Sequence, residues 1–145
     1  MNRSTATSAR CVLAIDPGRA KCGVAVVASG GAVLIREITT PAELCTQVAS
    51  LIERFGPEAL VIGDGTGSAA ACCSLDEAKL PIPVERVDER HTSELARARY
   101  LAETPARGLC RLVPRSLRAP DAPYDDYVAV ILAERWWARQ VIIPP

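Results

Sequence analysis

Apolar residues along this chain fall into runs of two kinds. Cys11–Ile15 is unbroken and closes on an acid, Asp16, which predicts a strand buried on both faces. Pro17-Gly18 then turns the chain. Cys22–Ala28 reads as a second strand, Ser29-Gly30-Gly31 as a hairpin turn and Ala32–Ile38 as a third strand, together a meander. The period changes after Thr40-Pro41, where Leu44, Val48, Leu51, Ile52 and Phe55 recur at helical spacing. Thr40 is the expected N-cap, Pro41 the first helical residue and Gly56-Pro57 the stop.

Farther along, Ala59–Gly63 predicts a short buried strand, residues 64–68 a Gly-rich loop and Ser68–Lys79 a helix stopped by Pro81. Pro83–Asp88 reads as the fifth strand and Thr92–Glu103 as a helix. Residues 104–123 hold four Pro and no periodicity, so they read as a long loop. Tyr124–Arg139 is the last predicted helix, with Val128, Ile131, Leu132 and Arg135 on adjacent turns. Trp136 and Trp137 are neighbours on it and cannot face the same way, so one is expected in the core and the other over a sheet edge or a partner. Residues 1–10 and 141–145 read as tails, leaving 11–140 as one domain. The order β-β-β-α-β-α-β-α-α predicts an α/β fold, a five-stranded mixed sheet flanked by helices, with three antiparallel strands followed by two parallel ones.

Composition narrows the class. The 145 residues suit one domain with a real core, and 49% apolar with 23% charged content is ordinary for a globular protein. The formal net charge is zero, so no global field marks a polyanion partner. Fifteen of the seventeen basic residues are nevertheless Arg, the better bidentate phosphate partner, although a GC-rich coding bias has the same effect. Six Cys without a CxxC pair, and a single His, argue against a structural zinc site. No apolar stretch reaches membrane-spanning length and no signal-like segment opens the chain. The expectation is a cytoplasmic protein with reduced thiols and no membrane partner.

Acids stand at the ends of three predicted elements: Asp16 after the first strand, Asp88-Glu89 after the fifth, and Asp125-Asp126 opening the last helix. Open α/β sheets bind ligands at such strand ends. A carboxylate cluster suits hard divalent cations, Mg²⁺ or Mn²⁺, and two such ions can hold the attacking water and the leaving oxygen of a phosphodiester. Each acid also has a plain structural use. Asp125-Asp126 meets the helix dipole, Asp88 can cap the next helix, Arg90 can pair with Glu89, and Asp16 can form a turn before Pro-Gly. The cluster carries meaning only if one fold brings the acids together.

Four segments, "IDPGRAKCGVAVV", "ALVIGDGTGS", "VERVDERHTSELARARY" and "YDDYVAVILAERWW", resemble in order the motif regions of the YqgF/RuvX family. These are RNase H-like proteins related to the RuvC Holliday-junction resolvases, and the resemblance runs from about Cys11 to Trp137. The resemblance implies an RNase H-like fold, a cytoplasmic divalent-metal nuclease, and work on small-subunit ribosomal RNA precursors or branched DNA. By position, Asp16, Glu89 and Asp125 match the catalytic acids, which would also be the metal ligands. Asp64 and Asp126 are further candidate ligands, Asp64 because resolvases place an acid at that strand. Pro17 and the loop Gly63-Asp64-Gly65-Thr66-Gly67-Ser68 depart from the family pattern, the loop being closer to that of Tex-type transcription accessory proteins.

Lys21, in the turn after Asp16, is the candidate contact for the scissile phosphate, with Arg90 and His91 beside Glu89. Between Arg86 and Arg118 eight Arg face four acids, and Arg107, Arg111, Arg115 and Arg118 recur through the Pro-containing loop, where they can track a nucleic-acid backbone. The expected assembly is a monomer or homodimer. Two other readings stay open: a phosphate-binding lobe related to actin-like ATPases, and a non-catalytic RNA-binding module.

Overall fold

The computed structural model describes residues 9–65, 68–104, 112–114 and 123–142. Among them the order is β1 (Cys11–Asp16), β2 (Cys22–Ala28), β3 (Val33–Thr39), α1 (Leu44–Phe55), β4 (Leu60–Gly63), α2 (Ser68–Glu77), β5 (Val84–Val87), α3 (Thr92–Glu103) and α4 (Asp125–Ile142). The five strands form one sheet ordered β3-β2-β1-β4-β5. β1 pairs antiparallel with β2 and β2 with β3, whereas β1–β4 and β4–β5 are parallel. This is the mixed sheet expected from the pattern, with β1 at its centre.

Strand alternation divides the core. Leu13, Ile15, Val24, Val26, Leu60 and Ile62 pack under α1 and α2 against Leu44, Val48, Leu51 and Leu75. Val12, Ala14, Ala25, Val27 and Val61 face α4, where Val128, Leu132 and Trp136 cover them. Small Ala14 and Ala25 let α4 lie close to the sheet. By the same alternation Asp16 and Gly23, opposite each other in the β1–β2 register, project to the α4 side.

Several boundaries differ from the sequence reading. Thr40 does not cap α1: its hydroxyl and carbonyl both accept from the Glu43 N–H, at 3.3 and 3.1 Å, closing a turn that precedes the helix. The helix opens at Leu44 and ends as expected at Gly56, whose left-handed backbone (φ 60°) sends its N–H to the Ile52 carbonyl. β3 starts one residue late because the Ala32 carbonyl closes the hairpin onto the Ala28 N–H. α2 stops at Glu77, before Lys79 takes a positive φ of 50°. α4 runs through Ile142, past the expected end at Arg139, since no breaker occurs before Pro144. Trp136 is the core tryptophan, its indole N–H bound to Glu85, while Trp137 is half-buried and donates to the Val27 carbonyl. Apart from residues 112–114, the expected loop and both tails lie largely outside the described residues. No helix among the described residues is long and apolar enough to cross a membrane.

Candidate active site

The carboxylate of Asp16 ends the central strand on the face covered by α4. Burial, then the charges of Glu89 and Asp125, push its pKa up to about 7, and a hydrogen bond with Glu89 adds to the rise. Two acids far from Asp16 in sequence, Glu89 and Asp125, therefore lie near enough to act on it. Asp125 arrives there because position 23 has no side chain. A Cβ on Gly23 would lie 1.9 Å from the Asp125 carbonyl oxygen and 2.8 Å from the Asp126 N–H nitrogen. The first turn of α4 thus rests on the backbone of β2 directly opposite Asp16.

Glu89 follows β5 and folds back over the end of β4. Its carboxylate occupies the space that side chains at 63 and 65 would fill: a Cβ on Gly63 would meet Oε1 at 1.8 Å, and one on Gly65 would meet Oε2 at 1.7 Å. Burial and the Asp64 charge raise its pKa, opposed by hydrogen bonds from Asp16 and from the Gly65 backbone. Glu89 Oε1 is buried without any hydrogen-bond donor. A buried acceptor left this way costs free energy unless something else satisfies it.

The backbone around Glu89 is held from three directions. Its N–H donates to Asp64 Oδ1 at 3.1 Å, and the Arg90 N–H donates to Asp88 Oδ1 at 2.9 Å. The buried Thr92 gives both its N–H and its hydroxyl to the Glu89 carbonyl, at 3.0 and 2.8 Å. Arg135 of α4 donates to the carbonyls of Asp88 (2.6 Å) and Arg90 (2.5 Å).

A divalent cation fits this donor set. Hard cations take carboxylate oxygens, the repulsion that adds to burial in lifting Asp16 would be neutralised, and Glu89 Oε1 would gain a partner. Among the described residues, however, no three His, Cys, Asp or Glu side chains already surround a common point. Asp16 and Glu89 lie near enough to share a hydrogen bond, and a cation held between them would remove the need for either to be protonated. Asp16, Glu89 and Asp125 are the residues that would hold it.

Other predicted residues lie elsewhere. Asp126, expected as a possible ligand, is committed to Arg36 of β3: Oδ2 lies 2.9 Å from its Nε, and Oδ1 accepts the Tyr127 N–H. The Arg36 guanidinium also stacks over the Tyr127 ring, 3.9 Å from its centroid. Asp64 is exposed and receives the Glu89 N–H. Lys21, Arg90 and His91 are exposed around the acids; His91 has a left-handed backbone (φ 62°), and its Nδ1 is 3.5 Å from Glu94. Arg107, Arg111, Arg115 and Arg118 lie outside the described residues. Sequence reasoning overlooked Gly23, Gly63, Gly65 and Thr92, and it took Arg135 only as part of a helix face. The available signal was Arg135 itself, a cation four residues after the buried Ile131 on a covered helix.

No protein-family model matches the chain, and no curated protein matches it. Solved structures do. RuvC of Thermus thermophilus is similar at 21% identity, covering 91% of this chain and 97% of that one, with a TM-score of 0.58. The T. thermophilus RuvC in complex with a Holliday junction substrate is likewise 21% identical, covering 90% of this chain and 96% of that one, with a TM-score of 0.55. With its strand order, its mixed pairing and its helices on both faces, the chain has the RNase H-like fold of RuvC.

Proposed function

We propose that this protein is a divalent-metal-dependent nuclease that hydrolyses phosphodiester bonds in nucleic acid. The observation that carries the reading is the meeting of Asp16, Glu89 and Asp125 at one end of the sheet, with a Glu89 oxygen buried and unpaired. Mg²⁺ or Mn²⁺, when bound, supplies charge to the phosphate and lowers the pKa of water. The residues divide the remaining work. Asp16 at the end of β1, Glu89 after β5 and Asp125 at the start of α4 would hold the ion. Lys21, Arg90 and His91, exposed around them, meet phosphate oxygens and align the strand.

The four sequence segments support a finer assignment to the YqgF/RuvX group and a cytoplasmic part in ribosomal RNA maturation. The RuvC structure holding a Holliday junction makes the four-way DNA junction the other substrate to try. The test is cleavage of a labelled four-way junction and a structured precursor RNA, with Mn²⁺ or Mg²⁺ and with EDTA. Parent protein is expected to cut at least one of them only with metal, and Glu89→Gln to cut neither. Binding of RNA in EDTA without any cleavage in metal would instead support the non-catalytic module.

Gly63→Ala is a milder probe. Its Cβ collides with the far end of the Glu89 side chain and with no backbone atom among its nearest contacts, so the chain adapts by moving that carboxylate. Mn²⁺ affinity is expected to fall about tenfold, as for a displaced ligand partner. The melting temperature should stay within a few degrees of parent. A large loss of stability with unchanged affinity would show that Gly63 serves packing instead.

A further inference from the structure

We propose that Arg135 is the positioning residue for Glu89, and that through it α4 sets the place of two acids at once. The inference rests on the metal-nuclease reading above. Loops run over the surface, where water can serve backbone carbonyls without help from side chains. Here three in succession are taken by protein donors: Asp88 and Arg90 by the two Nη atoms of Arg135, and Glu89 by Thr92. The guanidinium is a rigid fork, so one side chain holds the carbonyls of the residues on both sides of Glu89, and charge-assisted bonds are about twice as strong as neutral ones.

The fork itself has a firm base. Arg135 stands in the middle of α4 between buried Leu132 and Trp136, and Trp136 is tied to Glu85 of β5. Asp125 is the first residue of the same helix, about 15 Å away along its axis. A shift of α4 therefore moves Asp125 directly and Glu89 through Arg135. Neither Asp88 nor Arg90 needs its own side chain for this, since the bonds are to backbone oxygens.

The experiment is Mn²⁺ titration of the full chain without nucleic acid, on parent, Arg135→Met, Arg135→Lys and Arg99→Met, followed by kcat and KM for a cleaved substrate. Arg135→Met keeps most of the side-chain stem and loses the fork; its Mn²⁺ affinity is expected to fall tenfold or more. Its kcat should fall while KM for nucleic acid holds. Arg135→Lys, with one ammonium for two carbonyls, should fall in between and carries the test if the Met variant does not fold. Arg99→Met breaks the ion pair from α3 to Glu134, the neighbour of Arg135 on α4, and the pair to Glu103 within α3, and should keep parent affinity. Parent-like affinity in either Arg135 variant, or an equal loss in Arg99→Met, overturns the proposal. A parent that binds no Mn²⁺ overturns the nuclease reading and the role of Arg135 with it.

Discussion

Asp16→Asn is expected to cripple metal-dependent cleavage and, in metal-free buffer at neutral pH, to melt at a higher temperature than the parent. The two effects share a cause. Burial and the charges of Glu89 and Asp125 raise the Asp16 pKa from 3.8 to about 7 in the folded chain. Below pH ~4 the carboxyl is protonated in both folded and unfolded states and contributes no difference. Between about 4 and 7 the folded protein keeps a proton that the unfolded chain has released, so stability falls as pH rises through this window. Above it the penalty is constant. Asn carries no such charge, so its advantage should grow from pH 4 to 7 and then level off, at on the order of 4 kcal/mol. Cleavage should drop by about a hundredfold or more, a loss of roughly 2.7 kcal/mol of transition-state stabilisation. Saturating Mg²⁺ should stabilise the parent and leave the variant unmoved, because only the folded parent binds it well. Thermal melts across pH, with and without Mg²⁺, check all of this. A variant less stable than parent throughout, with the same Mg²⁺ response, would sink the idea.

Gly23→Ala should do harm of the opposite kind, lowering stability and metal binding together. The added methyl meets backbone atoms of Asp125 and Asp126, which cannot swing aside as a side-chain tip can. Either α4 lifts from the sheet or β2 is pushed away from it. Overpacking of this sort costs about 2–3 kcal/mol, or roughly 6–10 °C in Tm for a domain of this length. Mn²⁺ affinity should fall at least tenfold because Asp125 is carried off with the helix. Calorimetry and Mn²⁺ titration measure the two losses side by side. Parent-like values for both would mean that α4 does not depend on Gly23 for its seat. Beside Gly63→Ala, the variant separates two uses of glycine here: one admits a helix, the other admits a carboxylate.

The residue pattern alone determined the element order, the meander and the buried central strand. Apolar runs report burial and period directly, so β1, β2 and α3 appear at the bounds read from the residues. Asp16 was legible as an anomaly for the same reason: a carboxylate at the end of an apolar run is costly, and alternation after Val12 and Ala14 already gives its face. Glu89 and Asp125 were legible through a resemblance of motifs, since nothing local distinguishes Glu89 from Asp88 or Asp125 from Asp126. The tertiary structure separates those neighbours by the partners it gives them. Asp126 turns to Arg36, 90 residues away in sequence, and Asp88 folds onto the Arg90 N–H. Asp64 became an acceptor for the Glu89 backbone, and Arg135 reached a loop 45 to 47 residues upstream. Periodicity tells a residue which face of its own element it occupies. It does not say which element crosses that face, or how near. Here that distance was set where Gly23, Gly63 and Gly65 leave room, and the site took its form from those gaps.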